Sequence, residues 1–467
     1  MVAQQDLARD GCVAQIQRLN PRMDTTTDFD VRAWRSLPAT QQPDWPDPVA
    51  LRDVLTELRG YPPLVFPTEC DQLRARLAAV ARGEAFLLQS GDCAETFDAV
   101  AVDQISNKIK IMAQMAAVLT YATSVPVVKV GRMAGQYAKP RSSPVETRDG
   151  TTLPVYRGDA VNGVEFTPES RTPNPERLKQ MYRASSMTLN LIRGLLACGY
   201  ANPWQAHRWN RDFVALTPAG QQYRRLAREI DKALPVARGS GLDSNFAPET
   251  EFYVSHEALL LDYEDAMTCP DQVTGDLYDL SAHMVWIGER TRRLDGAHVE
   301  FASGVRNPIG VKLGPASIPD DVLALIDKLD PEREPGRLTF ITRMGARRIR
   351  DVLPTLVEKV TAAGAQVAWV CDPMHGNTFE APSGHKTRRF EDVSDEVAGF
   401  LEVHRALGAH PGGIHIELTG DDVTECIGGG TSADDLHQRY ETACDPRLNR
   451  SQSLELAFRI ADLYRDK

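Results

Sequence analysis

Eight short apolar, β-rich runs recur along this chain: EAFLLQS (84–90), VPVVKV (125–130), EFYVS (251–255), HMVWIG (283–288), PIGVKLG (308–314), RLTFITR (337–343), QVAWVCD (366–372) and GGIHIELTG (412–420). Most are followed by a stretch with helical spacing, such as VDQISNKIKIMAQMAAVLTYA, PDDVLALIDKLD, ARRIRDVLPTLVEKVTAAG and SQSLELAFRIADLYRD. Strands apolar on both faces and alternating with helices belong to a parallel sheet covered on both sides, and eight such units close it into a barrel. The expected fold class is therefore α/β, a (β/α)8 TIM barrel.

The rhythm breaks once, between the second and third runs. That segment holds two good helices, PERLKQMYRASSMTLNLIRGLLACG and PAGQQYRRLAREIDKALPVARG, so a helical hairpin inserted at about 165–245 is expected. Residues 1–80 read as an N-terminal arm, where WPDP, GYPP and VFPTE punctuate helical patches such as DPVALRDVLTELRG. The chain is read as one domain over 1–467, with the barrel occupying 81–467.

A net charge of −11 excludes nucleic acid or an anionic membrane as the main partner, because either rewards a basic face. MVAQQDLARDGC has no basic and then apolar leader, and no apolar run is long enough to span a bilayer, so a cytoplasmic protein is expected. The eight cysteines form no C-x-x-C pair and read mostly as reduced core thiols.

In a parallel barrel the chemistry sits where the strands end. Those positions carry Cys93 and Glu95, then Arg132, Lys139, Arg141 and Ser142, then His256 and Glu257, then Trp286, Glu289 and Arg290, then Lys312, Arg343, His375 and Glu417. Asp445 follows the last strand. Taken singly, Cys93 reads as a buried thiol, His375 as a loop-capping histidine and Asp445 as a cap before Pro446. Taken together with Glu417 they form a thiol, imidazole and carboxylate set able to chelate a divalent first-row cation. A second set, Arg132, Lys139, Arg141, Arg290, Lys312 and Arg343 with Ser142, suits phosphate, which guanidinium forks bind in bidentate fashion. Two phosphate-bearing substrates would account for so many cations in an acidic protein. Arg292, Arg293, Arg347 and Arg348 read instead as a solvated helix face. With neither a Walker A sequence nor a G-x-G-x-x-G after a strand, nucleotide binding has no support.

These residues sit in long motifs: LLQSGDCAETF, KVGRMAGQYAKPRS, SHEALLLDYE, VWIGERTRR, NPIGVKLGP, CDPMHGNT, GGIHIELTG and YETACDPRLN. Together they resemble the type II 3-deoxy-D-arabino-heptulosonate 7-phosphate (DAHP) synthases over nearly the whole chain. The resemblance implies condensation of phosphoenolpyruvate with erythrose 4-phosphate on a metal-dependent barrel, the entry step of the shikimate pathway. An aminoDAHP synthase using an amino or imino aldose phosphate is the alternative within the same chemistry.

Carried over by position, the resemblance implies Cys93, His375, Glu417 and Asp445 as metal ligands, with Mn2+ or Co2+ ahead of Mg2+, Zn2+ or Fe2+. It implies Arg132, Trp286, Glu289, Arg290, Lys312 and Arg343 around phosphoenolpyruvate, Lys139, Arg141 and Ser142 on the aldose phosphate, and Glu257 and Asp372 at the same mouth. Lys139 and Lys312 are the expected catalytic residues, Lys139 as proton donor. Aromatic amino acids as effectors, a chorismate mutase partner and a homodimer or homotetramer are further implications. If Cys93 and Asp445 share one metal, Cys444 lies beside it and a Cys93–Cys444 disulfide becomes available on metal loss. Ser90 and a longer N-terminal lead depart from the family pattern, and neither touches the expected ligands.

Overall fold

The computed structural model describes residues 33–216, 218–221, 223–239 and 251–465. The start of the expected arm, 1–32, and part of the insertion, 240–250, lie outside them. The barrel strands are β1 (Phe86–Gly91), β2 (Val127–Arg132), β3 (Tyr253–Glu257), β4 (Met284–Ile287), β5 (Ile309–Leu313), β6 (Leu338–Thr342), β7 (Ala368–Cys371) and β8 (Gly413–Glu417). Each falls within or against one of the eight apolar runs. All pair in parallel and close in the order β1-β8-β7-β6-β5-β4-β3-β2, the (β/α)8 arrangement expected.

Outward side chains of these strands pack on surrounding helices; Phe86, for example, meets Tyr464 edge-on at 6.1 Å. Inward side chains form layers whose chemistry changes from bottom to top. At the bottom, Leu87, Val128, Val130, Tyr253, Met284, Ala368 and Val370 form one apolar cluster. Leu73, Leu77 and Val80 of the helix Pro67–Ala81 complete it, so a helix from the N-terminal segment stoppers the barrel. Pro67 opens that helix at a position where its missing N–H is no loss. Above lies a polar floor. Gln89 donates to Ser255 Oγ at 2.9 Å and accepts from His415 Nδ1 at 2.7 Å.

The insertion contains more than the expected pair of helices. It comprises a short hairpin, Val145–Arg148 with Thr151–Pro154, and three long helices, Glu176–Ala197, Pro203–Leu216 and Arg224–Gly239. The unforeseen middle helix, PWQAHRWNRDFVAL, carries few aliphatic residues and buries Ala206, His207, Asn210, Phe213 and Val214, with Phe213 stacked on Phe458. In RTRRLDGAHVEFASG only Ala297–Gly304 is helical, because Gly296 at the cap is extended and the arginines before it occupy a turn. Among the described residues no helix is long and apolar enough to cross a membrane.

Candidate active site

The inward register that makes the lower barrel apolar brings Arg132, Glu257, Trp286, Lys312 and Glu417 to the upper rim, with Cys93, Arg343 and Asp372 just past the strand ends. Gly91 pairs with both Arg132 and Glu417, and its φ of +149° suits glycine. A Cβ there would stand 2.6 Å from the Arg132 carbonyl oxygen, so the chain can turn toward Cys93 only without a side chain. The loop after β2 folds around Glu95, whose carboxylate accepts from the N–H groups of Ala134, Gly135 and Gln136 at 2.8–3.0 Å. That clamp delivers Lys139 to the barrel axis.

One oxygen each from Glu417 and Asp445 and the Cys93 sulfur lie within 4.8 Å of one another. The Lys139 ammonium sits among them, 3.0 Å from Cys93 Sγ, 2.9 Å from Glu417 Oε1 and 3.3 Å from Asp445 Oδ2. His375 Nε2 joins from the other side, 3.1 Å from Glu417 Oε1 and 3.4 Å from Lys139 Nζ. All four expected ligands thus converge on one point that already holds a cation. His375 Nδ1 lies 2.8 Å from Asp372 Oδ2, a contact that turns Nε2 toward that point. Mixed sulfur, nitrogen and oxygen donors, with the imidazole turned inward and two carboxylates ionised, fit a divalent first-row metal.

The electrostatics are those of a buried ion cluster. Burial alone would raise Glu417, yet the charges of His375, Lys139 and Arg388 hold it well below the usual carboxylate range. Asp445 and Asp372 are likewise depressed against their burial, the first by Lys139 and Arg388, the second by His375 and Lys312. Cys93 is pushed up by burial, with the nearby Cys444 thiol and Glu417 adding to it. Cys444, one residue before Asp445, is lowered chiefly by its neighbour Cys93.

Beside this cluster is a cationic pocket. Lys312 donates to Asp372 Oδ2 at 2.9 Å, and burial lowers its pKa despite that partner. Arg132 gives Nη2 to Glu417 Oε1 at 3.0 Å and Nη1 to His415 Nε2. Burial and the neighbouring Lys312 and Arg132 lower His415, in keeping with a neutral ring that accepts from Arg132. The Trp286 ring lies under both cations, 5.0 Å from the Arg132 guanidinium and 5.7 Å from Lys312 Nζ. Arg343 Nη2 donates to the His375 carbonyl at 2.9 Å. Gly314 lets Arg343 and Glu289 approach together, since a Cβ there would stand 3.0 Å from each.

Other expected residues stand apart from the ion cluster. Glu257 is buried at the rim with Oε1 unpartnered. Arg141 is half-buried, tied through its backbone to Gln41 of the N-terminal segment, and Ser142 beside it is exposed. Arg290 is exposed and accepts from Thr40 through its carbonyl. Arg292, expected on a solvated helix face, instead pairs with Glu289 at 3.0 Å and reaches Ser317 Oγ at 3.1 Å, because its segment turns inward without becoming helical. Arg293, Arg347 and Arg348 are exposed as expected, Arg293 pairing with Asp295.

Three groups had escaped the sequence reading. His415 interrupts an apolar strand just as Lys312 does, and that signal was available. Asp92, with Lys108 and Arg447 on its two oxygens, couples the Cys93 and Asp445 loops, Arg447 at 2.8 Å. Arg388 contacts Glu417 from behind at 2.9 Å, and its only sequence mark is the basic run KTRR.

Comparison with known proteins converges on the same residues' family. The sequence matches the Class-II DAHP synthetase family over residues 29–461. It is 68% identical over 436 residues to a phospho-2-dehydro-3-deoxyheptonate aldolase of Streptomyces coelicolor, covering 93% of this chain and 97% of that protein. A phospho-2-dehydro-3-deoxyheptonate aldolase of Mycolicibacterium smegmatis is 53% identical over 436 residues, covering 92% of this chain and 93% of its own. A solved DAHP synthase from Thermotoga maritima aligns over 82% of this chain and 70% of its own at 13% identity, with a TM-score of 0.39.

Proposed function

The chain belongs to the Class-II DAHP synthetase family, and from that premise we propose that it condenses phosphoenolpyruvate with erythrose 4-phosphate and water to DAHP and phosphate, with a divalent metal bound. The observation that carries this reading is the convergence of Cys93, His375, Glu417 and Asp445 on one cationic point, with Lys312, Arg132 and Arg343 beside it. That the relatives above are phospho-2-dehydro-3-deoxyheptonate aldolases favours erythrose 4-phosphate over an amino analogue.

A metal held by those four side chains would supply Lewis-acid polarisation of the aldehyde. The remaining work falls to the protein. Arg132, Lys312 and Arg343, with Arg290 at the edge, hold the carboxylate and phosphate of phosphoenolpyruvate, and Glu289, which accepts from Arg292 and the Gly314 N–H, shapes the same wall. Trp286 provides the floor, so that C3 faces the aldehyde carbon. Arg141 and Ser142, farther out, take the phosphate of the aldose.

Bond formation leaves positive charge at C2, where water adds before phosphate departs by C–O cleavage. The new hydroxyl oxygen needs a proton, and Lys139, the cation nearest the metal ligands, is placed to give it. Burial would lower Lys139, but the Glu417 and Asp445 carboxylates, with the Cys93 sulfur beside them, hold it well above its usual range, so it carries that proton at neutral pH.

To the same reading belong cytoplasmic location, homodimeric or homotetrameric assembly, aromatic amino acid effectors and a chorismate mutase partner. The proposal is tested with phosphoenolpyruvate carrying 18O in the bridging C–O position. Equal amounts of DAHP and labelled phosphate are expected; label retained in the carbon product, or no seven-carbon product, refutes it.

A further inference from the structure

Among the described residues, Arg388 is the one fully buried cation in contact with a proposed metal ligand that lies outside the substrate pocket. It ends the hairpin formed by Thr378–Glu380 and Lys386–Arg388, between β7 and the helix Phe390–Ala406. Its side chain has no exposure, and all three of its nitrogens are turned to protein groups. Each face of its guanidinium is committed. Nη2 donates to Glu417 Oε2 at 2.9 Å, Nε to the Met374 carbonyl at 2.8 Å and to Thr378 Oγ1 at 3.0 Å, and Nη1 to the Pro446 carbonyl. Met374 precedes His375 and Pro446 follows Asp445. One planar group therefore touches one expected ligand and the backbone next to two others.

The division of the Glu417 carboxylate gives this contact its meaning. Oε1 faces Lys139, Arg132 and His375, whereas Oε2 is turned away and taken by Arg388. A carboxylate held in this way has one oxygen left to offer a cation. The fork also fixes the spacing of the loops that carry His375 and Asp445, which only a group with several rigid N–H directions can do; a lysine ammonium has the charge without that geometry.

We propose that Arg388 is the positioning residue of the metal centre: it restricts Glu417 to one-oxygen coordination through Oε1 and locks the His375 and Asp445 loops at the spacing the metal requires. This rests on the metal site proposed above, and the test separates the two. Co2+ is titrated into chelator-stripped wild type, Cys93→Ser, Arg388→Lys and Arg388→Gln, in competition with a chromophoric chelator, and the visible and sulfur-to-cobalt absorption bands are recorded. Wild type should take up one Co2+ per chain with a sulfur band that Cys93→Ser abolishes; if wild type does not, the metal reading itself fails.

Removing a partner that orients a ligand lowers affinity by about 10- to 100-fold. That loss is expected for Arg388→Gln. Arg388→Lys should keep the fold and part of the affinity but not the wild-type visible spectrum. Folded variants with wild-type affinity and spectrum would overturn the proposal, as would a lysine variant that restores both, since charge alone would then suffice. A crystal structure of the Mn2+-loaded wild type decides the matter even if neither variant folds. Glu417 should bind through Oε1 with Oε2 still on Arg388, and a bidentate Glu417 free of Arg388 would overturn the assignment.

Discussion

Replacing Asp372 by asparagine separates charge from shape at the point where the two halves of the site meet. Asp372 is fully buried and accepts from Lys312 Nζ at 2.9 Å, His375 Nδ1 at 2.8 Å and the Met374 N–H at 3.0 Å. Asparagine has nearly the same volume and keeps an acceptor for Met374, so packing survives. What disappears is the counter-charge to a Lys312 side chain only 6% exposed. Breaking one side of a buried pair costs about 3–5 kcal/mol, and the retained acceptor places this variant at about 3 kcal/mol.

Loss of the carboxylate on His375 Nδ1 should also weaken metal binding by about 10- to 100-fold. The pH dependence has a definite sign. Burial would raise Asp372, but His375 and Lys312 hold its folded pKa well below the ordinary 3.8, so its stabilisation is complete above that value and is lost as pH falls further. The stability gap between wild type and variant should therefore be flat from about pH 7 to about pH 5 and narrow only below about pH 4. Denaturant titrations of metal-stripped protein across this range, with a metal competition titration at neutral pH, supply both readings. A gap under about 0.5 kcal/mol with unchanged metal affinity, or a gap that widens on acidification, would refute the reasoning.

Lys139→Met should lower kcat by about 100-fold or more with the phosphoenolpyruvate KM little changed, and full turnover would remove Lys139 as the proton donor. Leu77→Ala, in the helix that stoppers the barrel, should cost about 2–5 kcal/mol and lower the thermal midpoint while leaving the kcat of folded enzyme intact; reduced kcat at unchanged stability would contradict a purely structural role. Because the Asp445 N–H donates to Cys93 Sγ at 3.2 Å and Cys444 is its chain neighbour, mild oxidation of metal-stripped protein should join Cys93 and Cys444, and peptide mass spectrometry finding both thiols free would exclude it.

The barrel was legible because parallel strands buried on both faces leave apolar runs that polar loops interrupt, and all eight runs became strands. Lys312 and Arg343, which break the apolar pattern of their runs, were legible for the same reason, although His415 carries the same mark and was missed. The helix Pro67–Ala81 was hidden because TECDQLRARLAAVA follows a proline-rich segment and its role, closing the barrel floor, depends on strands remote in sequence. Arg292 was misplaced because a helical pattern was extended across Gly296. Arg388 and Arg447 look like surface basic residues in sequence; only the return of distant loops over the mouth buries them against Glu417 and Asp92. Hydrogen-bond direction was equally out of reach, since the orientation of His375 depends on Asp372 and that of His415 on Gln89, a residue on a strand at the far end of the chain.

The central claim is that one metal, held by Cys93, His375, Glu417 and Asp445, enables condensation at this barrel mouth. Its most direct test follows the ultraviolet absorbance of phosphoenolpyruvate, in the presence of erythrose 4-phosphate, in one sample of enzyme stripped with chelator and then reloaded in turn with Mn2+, Co2+, Mg2+ and Zn2+. Absorbance should hold steady in the stripped enzyme and fall on reloading, with no fall in a Cys93→Ser control. Consumption that continues at full rate in the stripped enzyme, or that never appears with any metal, would contradict the account.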